Sequence, residues 1–62
     1  MKVKVRIEKT NEGLQAWVIQ DGKRGVNLLN KRRNIGVGIA KNDVLIKLRG
    51  CEVEFELVGV AE

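Results

Sequence analysis

Histidine, serine, tyrosine and proline are missing from this chain, and cysteine, threonine, tryptophan and phenylalanine occur once each. Each gap removes a class of chemistry. A side-chain nucleophile needs a neighbouring base to activate it. The one hydroxyl of that kind, Thr10, lies in a turn-forming run, and no imidazole exists to serve it, so no enzyme is expected. A zinc cage needs several Cys or His ligands, which Cys51 alone does not provide, and the same residue has no partner for an internal disulfide. One tryptophan and one phenylalanine make no platform on which single-stranded bases stack. Gly36-Val37-Gly38 lacks the third glycine and the βαβ setting of a dinucleotide-binding loop, and no cofactor is expected.

Long apolar runs are also missing. Nothing approaches the roughly 20 residues of a membrane-spanning helix, and the first residues alternate lysine with valine instead of forming the apolar stretch of a signal peptide. The chain reads as a soluble, cytoplasmic protein with no membrane partner. An unpaired cysteine suits a reducing compartment. Sixty-two residues make a single small β-rich domain, residues 1–62. A chain of this size buries only about 60% of the surface that its unfolded form exposes. Without a disulfide or a metal, the common remedy for so small a core is oligomerisation, and a homodimer is expected.

What the sequence does have is unevenly placed charge. Twelve Lys/Arg against eight Asp/Glu give +4 overall, but residues 20–50 alone hold eight bases against two acids, a net +6. The two ends differ from this. Lys2, Lys4 and Arg6 alternate with Val3, Val5 and Ile7, while Glu52, Glu54 and Glu56 alternate with Cys51, Val53, Phe55 and Leu57. Each end is a period-2 strand with one apolar face and one face of a single sign. Such faces suit each other across a sheet, where opposite charges contribute roughly 0.2–1 kcal/mol per pair. Glutamates beside bases have lowered pKa values and are poor acid–base catalysts. Cys51, in phase with Val53, Phe55 and Leu57, is expected to be a buried core thiol.

Residues 2–9 and 14–20 read as a hairpin joined by Thr10-Asn11-Glu12-Gly13, and Asp21-Gly22 is a strong turn signal. Val26 to Leu29 suit a short strand leading into one or two helical turns across residues 30–34, with Asn30 able to cap them. The two glycines at 36 and 38 predict a bend. Val44, Ile46 and Leu48 alternate with Leu45, Lys47 and Arg49, which predicts a strand that turns at Arg49-Gly50 into a last strand at 51–58. The expected fold is mostly β: a small barrel or sandwich of two hairpins with at most one short helix, completed by dimerisation.

The uncompensated cations lie in Lys23-Arg24 and Lys31-Arg32-Arg33, with Asn27 and Asn30 nearby. Arginine bridges phosphate oxygens or guanine edges bidentately, and asparagine pairs with adenine in the major groove. Trp17-Val18-Ile19-Gln20-Asp21-Gly22-Lys23-Arg24-Gly25-Val26-Asn27-Leu28, followed by Gly38-Ile39-Ala40-Lys41-Asn42-Asp43-Val44-Leu45-Ile46, resembles the AbrB/MazE-type swapped-hairpin DNA-binding domains. The likeness covers residues 15–58. Leu29 stands where that family has proline, and Asn42 where it has its second glycine. The resemblance implies two chains interleaving hairpins into one barrel. It also implies that Lys23, Arg24 and Asn27 occupy a DNA-contacting loop and strand end, with Lys31, Arg32 and Arg33 on a helix flank facing phosphates.

The expected function is that of a small basic protein, a transcriptional regulator binding duplex DNA through Lys23, Arg24, Asn27, Lys31, Arg32 and Arg33. The competing expectation is a small inhibitor or adaptor, for example phage-encoded, that binds an acidic protein partner.

Overall fold

A computed structural model of the chain describes residues 2–29 and 35–60. Strand β1 (Lys2–Thr10) and strand β2 (Gly13–Gln20) pair antiparallel from Lys4↔Ile19 to Thr10↔Gly13. The Thr10 hydroxyl donates to the Gly13 carbonyl at 2.8 Å and accepts the Glu12 amide at 3.2 Å, which closes the two-residue loop from a side chain. Asp21 and Gly22 both take positive φ, 53° and 74°, as a tight hairpin of the Asp-Gly kind requires, and the chain returns as strand β3 (Lys23–Asn27). A bulge between Trp17 and Ile19 sets Gly25 and Val26 against the β2 stretch around Val18.

Helix α1 (Val37–Lys47) follows, and then strand β4 (Glu52–Val58). The strands form one open sheet in the order β3-β2-β1-β4, with β4 parallel to β1. Since β3 and β4 run the same way at opposite edges, α1 is the crossover that carries the chain over the sheet. A parallel return of this kind needs a long connection, usually a helix.

One face of the sheet packs under α1. Val5, Ile7, Leu14 and Ala16 from the strands meet Leu29, Ala40 and Val44, and these seven are the buried core among the described residues. Val3, Val53, Phe55 and Leu57 pack against it half-buried. The opposite face carries the even-numbered residues of β1, Trp17 and Ile19 of β2, and the glutamates of β4. No described helix covers it.

The expectation of a mostly β chain with one short helix holds, and the sheet is open, not closed into a barrel. Four local expectations need correction. Residues 44–49 are not a strand: Val37, Ala40, Val44 and Leu48 recur at helical spacing and turn one side of α1 to the sheet. Gly36 and Gly38 do not bend the chain away from helix. Gly36 is the extended N-cap, whose carbonyl accepts the Ala40 amide at 3.0 Å, and Gly38 lies in the first turn. The partner of the last strand is β1 and not a neighbouring hairpin arm; α1 ends at its C-cap Leu48, and Gly50, at φ 89°, lies in the turn that leads on into β4. Cys51 is half-buried just ahead of β4, less enclosed than a core thiol. The helical turn expected over residues 30–34, with its Asn30 cap, lies outside the described residues.

Candidate nucleic-acid interface

The open face of the sheet decides which cations have partners. In the β1–β4 register Lys4 faces Glu54 and Arg6 faces Glu56. The long lysine side chains lean one step along the strand: Lys2 Nζ reaches Glu54 Oε2 at 3.5 Å and Lys4 Nζ reaches Glu56 Oε2 at 3.2 Å. Arg6 Nε donates to Glu56 Oε1 at 2.6 Å. Glu56 therefore collects two cations, and the Arg6 hydrogen bond, then that from Lys4, holds its carboxyl below the usual 4.5. The terminal basic run is matched within the sheet.

Arg24 has a partner as well. Its guanidinium lies 5.4 Å from the centre of the Trp17 ring and donates at 3.1 Å to Glu8 Oε2, so it reaches from the β3 edge across β2 to β1. The Glu8 side chain is only 14% exposed. Cation–π stacking and a charge-assisted hydrogen bond hold the arginine flat on the sheet.

Asn27 has a structural post. Its Oδ1 accepts the Ala16 amide at 3.3 Å and the Leu29 amide at 3.0 Å, beside a Leu28 amide bond to the Ala16 carbonyl at 2.7 Å. The side chain takes over ladder hydrogen bonds where β3 ends, which leaves its carbonyl oxygen no part in reading a base.

Lys23 is exposed, at the first position of β3 opposite Gln20, and no carboxylate pairs with it among the described residues. Lys31, Arg32 and Arg33 lie outside the described residues. They are three of the chain's twelve bases in consecutive positions.

Two cations that sequence reasoning passed over are in the same condition as Lys23, and one of them lies near it. Arg49 is exposed after α1 and has no ion pair among the described residues. Lys9, on β1, is likewise exposed and unpaired among them. Arg49 and Lys23 come to the same end of the sheet, because Gln20, Leu48, Cys51 and Lys2 share the lining of a cleft of about 240 Å³ there. The signal for Arg49 was its place after a helix, where a cation favours the negative end of the dipole; it was hidden while residues 44–49 read as a strand. Lys47 is tied down, its ammonium donating to the Leu28 carbonyl, and the Lys41 ammonium lies 5.5 Å from the centre of the Phe55 ring.

No group of three or more His, Cys, Asp or Glu suited to a metal occurs among the described residues. No described helix is long and apolar enough to cross a membrane. Compared with protein-family models, curated proteins and solved structures, the chain matches none.

Proposed function

We propose that this chain is a small duplex-DNA-binding protein that acts as a homodimeric transcriptional regulator, with the middle of the sequence as its contact surface. The observation that carries this reading is the ladder of Lys2, Lys4 and Arg6 on Glu54 and Glu56. Because those cations are answered inside the sheet, the chain's positive surplus is left to the midsection, whose eight bases against two acids give +6. Lys31, Arg32 and Arg33 form its densest run, flanked by Lys23. Phosphates are the polyanion such a run engages, and release of their counterions supplies most of the affinity.

The contacts made by Arg24 and Asn27 within the fold favour a narrower contact set than the one expected from sequence. Arg24 binds DNA only by giving up Glu8 and Trp17, and Asn27 serves the fold. Lys23, Lys31, Arg32 and Arg33 remain as phosphate contacts, with Arg49 as an addition. Homodimerisation is supported by the seven-residue core and by Ile39 and Ile46, which lie two turns apart on the outer side of α1 and are 56% and 59% exposed.

Fluorescence anisotropy with a labelled duplex at low ionic strength tests the reading. Binding that weakens steeply with salt is expected. No binding at the lowest salt contradicts it.

A further inference from the structure

We propose that the outer edge of β4 is a docking edge for an extended segment of another protein in which basic and apolar residues alternate. β4 is hydrogen-bonded to β1 on its inner side, and no described element pairs with its outer side. A free edge is a template for a further strand, and proteins ordinarily protect it with proline, lysine, a bulge or a short length. The other edge of this sheet, β3, is protected in that way: it is five residues long, it begins Lys23-Arg24, and its pairing is bulged. β4 has no proline, lysine or bulge, and its charges are all acidic, which protects it against a like-charged strand and not against a basic one. It runs for seven residues, Glu-Val-Glu-Phe-Glu-Leu-Val, with a continuous register from Lys2↔Glu52 to Glu8↔Val58.

The chemistry of the two faces then selects the guest. On the open face stand Glu52, Glu54 and Glu56. Glu52 has no cation partner among the described residues, and the Glu54 side chain is half exposed although Lys2 touches it. On the other face Val53, Phe55 and Leu57 are only half-buried, because α1 packs mainly over β2. Lys41 stands over Phe55, and Leu45, one turn further along the same side of α1, is 47% exposed. A strand added here therefore meets carboxylates on one side and apolar surface on the other.

The molecule already contains a strand that answers this pattern. The inner edge of β4 is filled by Lys2-Val3-Lys4-Val5-Arg6-Ile7, with its bases on the glutamate side and its aliphatic residues beneath α1. Side chains stand perpendicular to a sheet, so a row of glutamates is open to a neighbour on either hand, and a guest of like alternation meets the same row from outside. A second copy of this chain fits poorly: antiparallel self-pairing about Phe55 places Glu54 opposite Glu56 twice, and like charges in register oppose pairing.

The test is a nuclear magnetic resonance titration of the full chain with a capped peptide of β4's length in which lysine and valine alternate, and with its counterpart carrying glutamate for lysine. The lysine peptide is expected to shift β4 resonances and to slow exchange of the β4 amides that point away from β1. Its affinity is expected to fall roughly threefold or more in Glu52→Gln, which removes one carboxylate of the row at an exposed residue without setting a like charge opposite Lys2, and the glutamate peptide is expected not to bind. The proposal is overturned by absence of binding, by equal binding of both peptides, by shifts that map elsewhere, or by outward β4 amides already protected in the free protein. No nucleic acid enters this experiment, so it stands or falls apart from the DNA reading.

Discussion

Arg6 and Glu56, fifty residues apart in sequence, meet at 2.6 Å across the first and last strands. That contact fixes the register of the only parallel pair in the described sheet and links the fold to the charge argument: a cation held there is not available to a ligand. Glu56 also receives Lys4, so loss of its charge strips two bases of their partner.

Acidification tests this pair. The folded pKa of Glu56 lies below the unfolded 4.5, so its contribution is fully present above that value and is lost as pH falls through the lowered folded value. The urea midpoint should hold steady above about pH 5.5 and decline below 4.5. Glu56→Gln should start lower and fall less across the same window, as followed by tryptophan fluorescence.

Glycine substitutions separate helix from strand in the region where the two periodicities compete. Gly38 has ordinary φ, and a Cβ there meets nothing within 4 Å. Gly38→Ala should stabilise the protein by up to about 0.5–1 kcal/mol if residues 37–47 are helical. Gly22→Ala, at φ 74° in the hairpin, should instead destabilise it by about 1 kcal/mol. Chemical denaturation measures both.

Asn27→Ala should cost about 1–3 kcal/mol, since the Ala16 and Leu29 amides are deprived of their shared acceptor. Asn27→Asp keeps an oxygen in place and should retain most of the stability. Thermal unfolding of the two variants distinguishes a structural bracket from a surface contact.

Sedimentation equilibrium checks the dimer. The wild type should sediment as a dimer. Ile39→Glu and Ile46→Glu, both on the exposed side of α1, should give folded monomers with unchanged circular dichroism.

Much of the sheet was legible from residue pattern because its signals are local. Alternation marked β1 and β4, the β-branched and aromatic residues Trp17, Val18 and Ile19 marked β2, the Asp21-Gly22 pair marked a turn, and the opposite charges of Lys2-Lys4-Arg6 and Glu52-Glu54-Glu56 marked a cross-strand match. The helix was not legible for a physical reason. In Val44-Leu45-Ile46-Lys47-Leu48 every second residue is apolar, but so are residues 37, 40, 44 and 48, and a short apolar run satisfies both periods. The glycines tipped the reading toward a bend, although at an N-cap and first turn they disrupt few hydrogen bonds because the first amides of a helix lack an intrahelical acceptor. Of the candidate site, Lys23 was legible as an exposed cation. The capture of Arg24 by Glu8 and Trp17 was not, since it spans three strands and depends on their register.

The central claim is that Lys2, Lys4 and Arg6 are neutralised within the sheet, and that Lys23, Lys31, Arg32, Arg33 and Arg49 are the proposed phosphate contacts. The most direct measurement is the salt dependence of duplex DNA binding in two double variants. Arg32→Ala with Arg33→Ala should weaken binding and flatten the plot of log K against log salt by about 0.9 for each phosphate that is no longer neutralised. Lys2→Ala with Lys4→Ala should leave the slope unchanged. A slope that flattens in the terminal variant and persists in the midsection variant would contradict the claim.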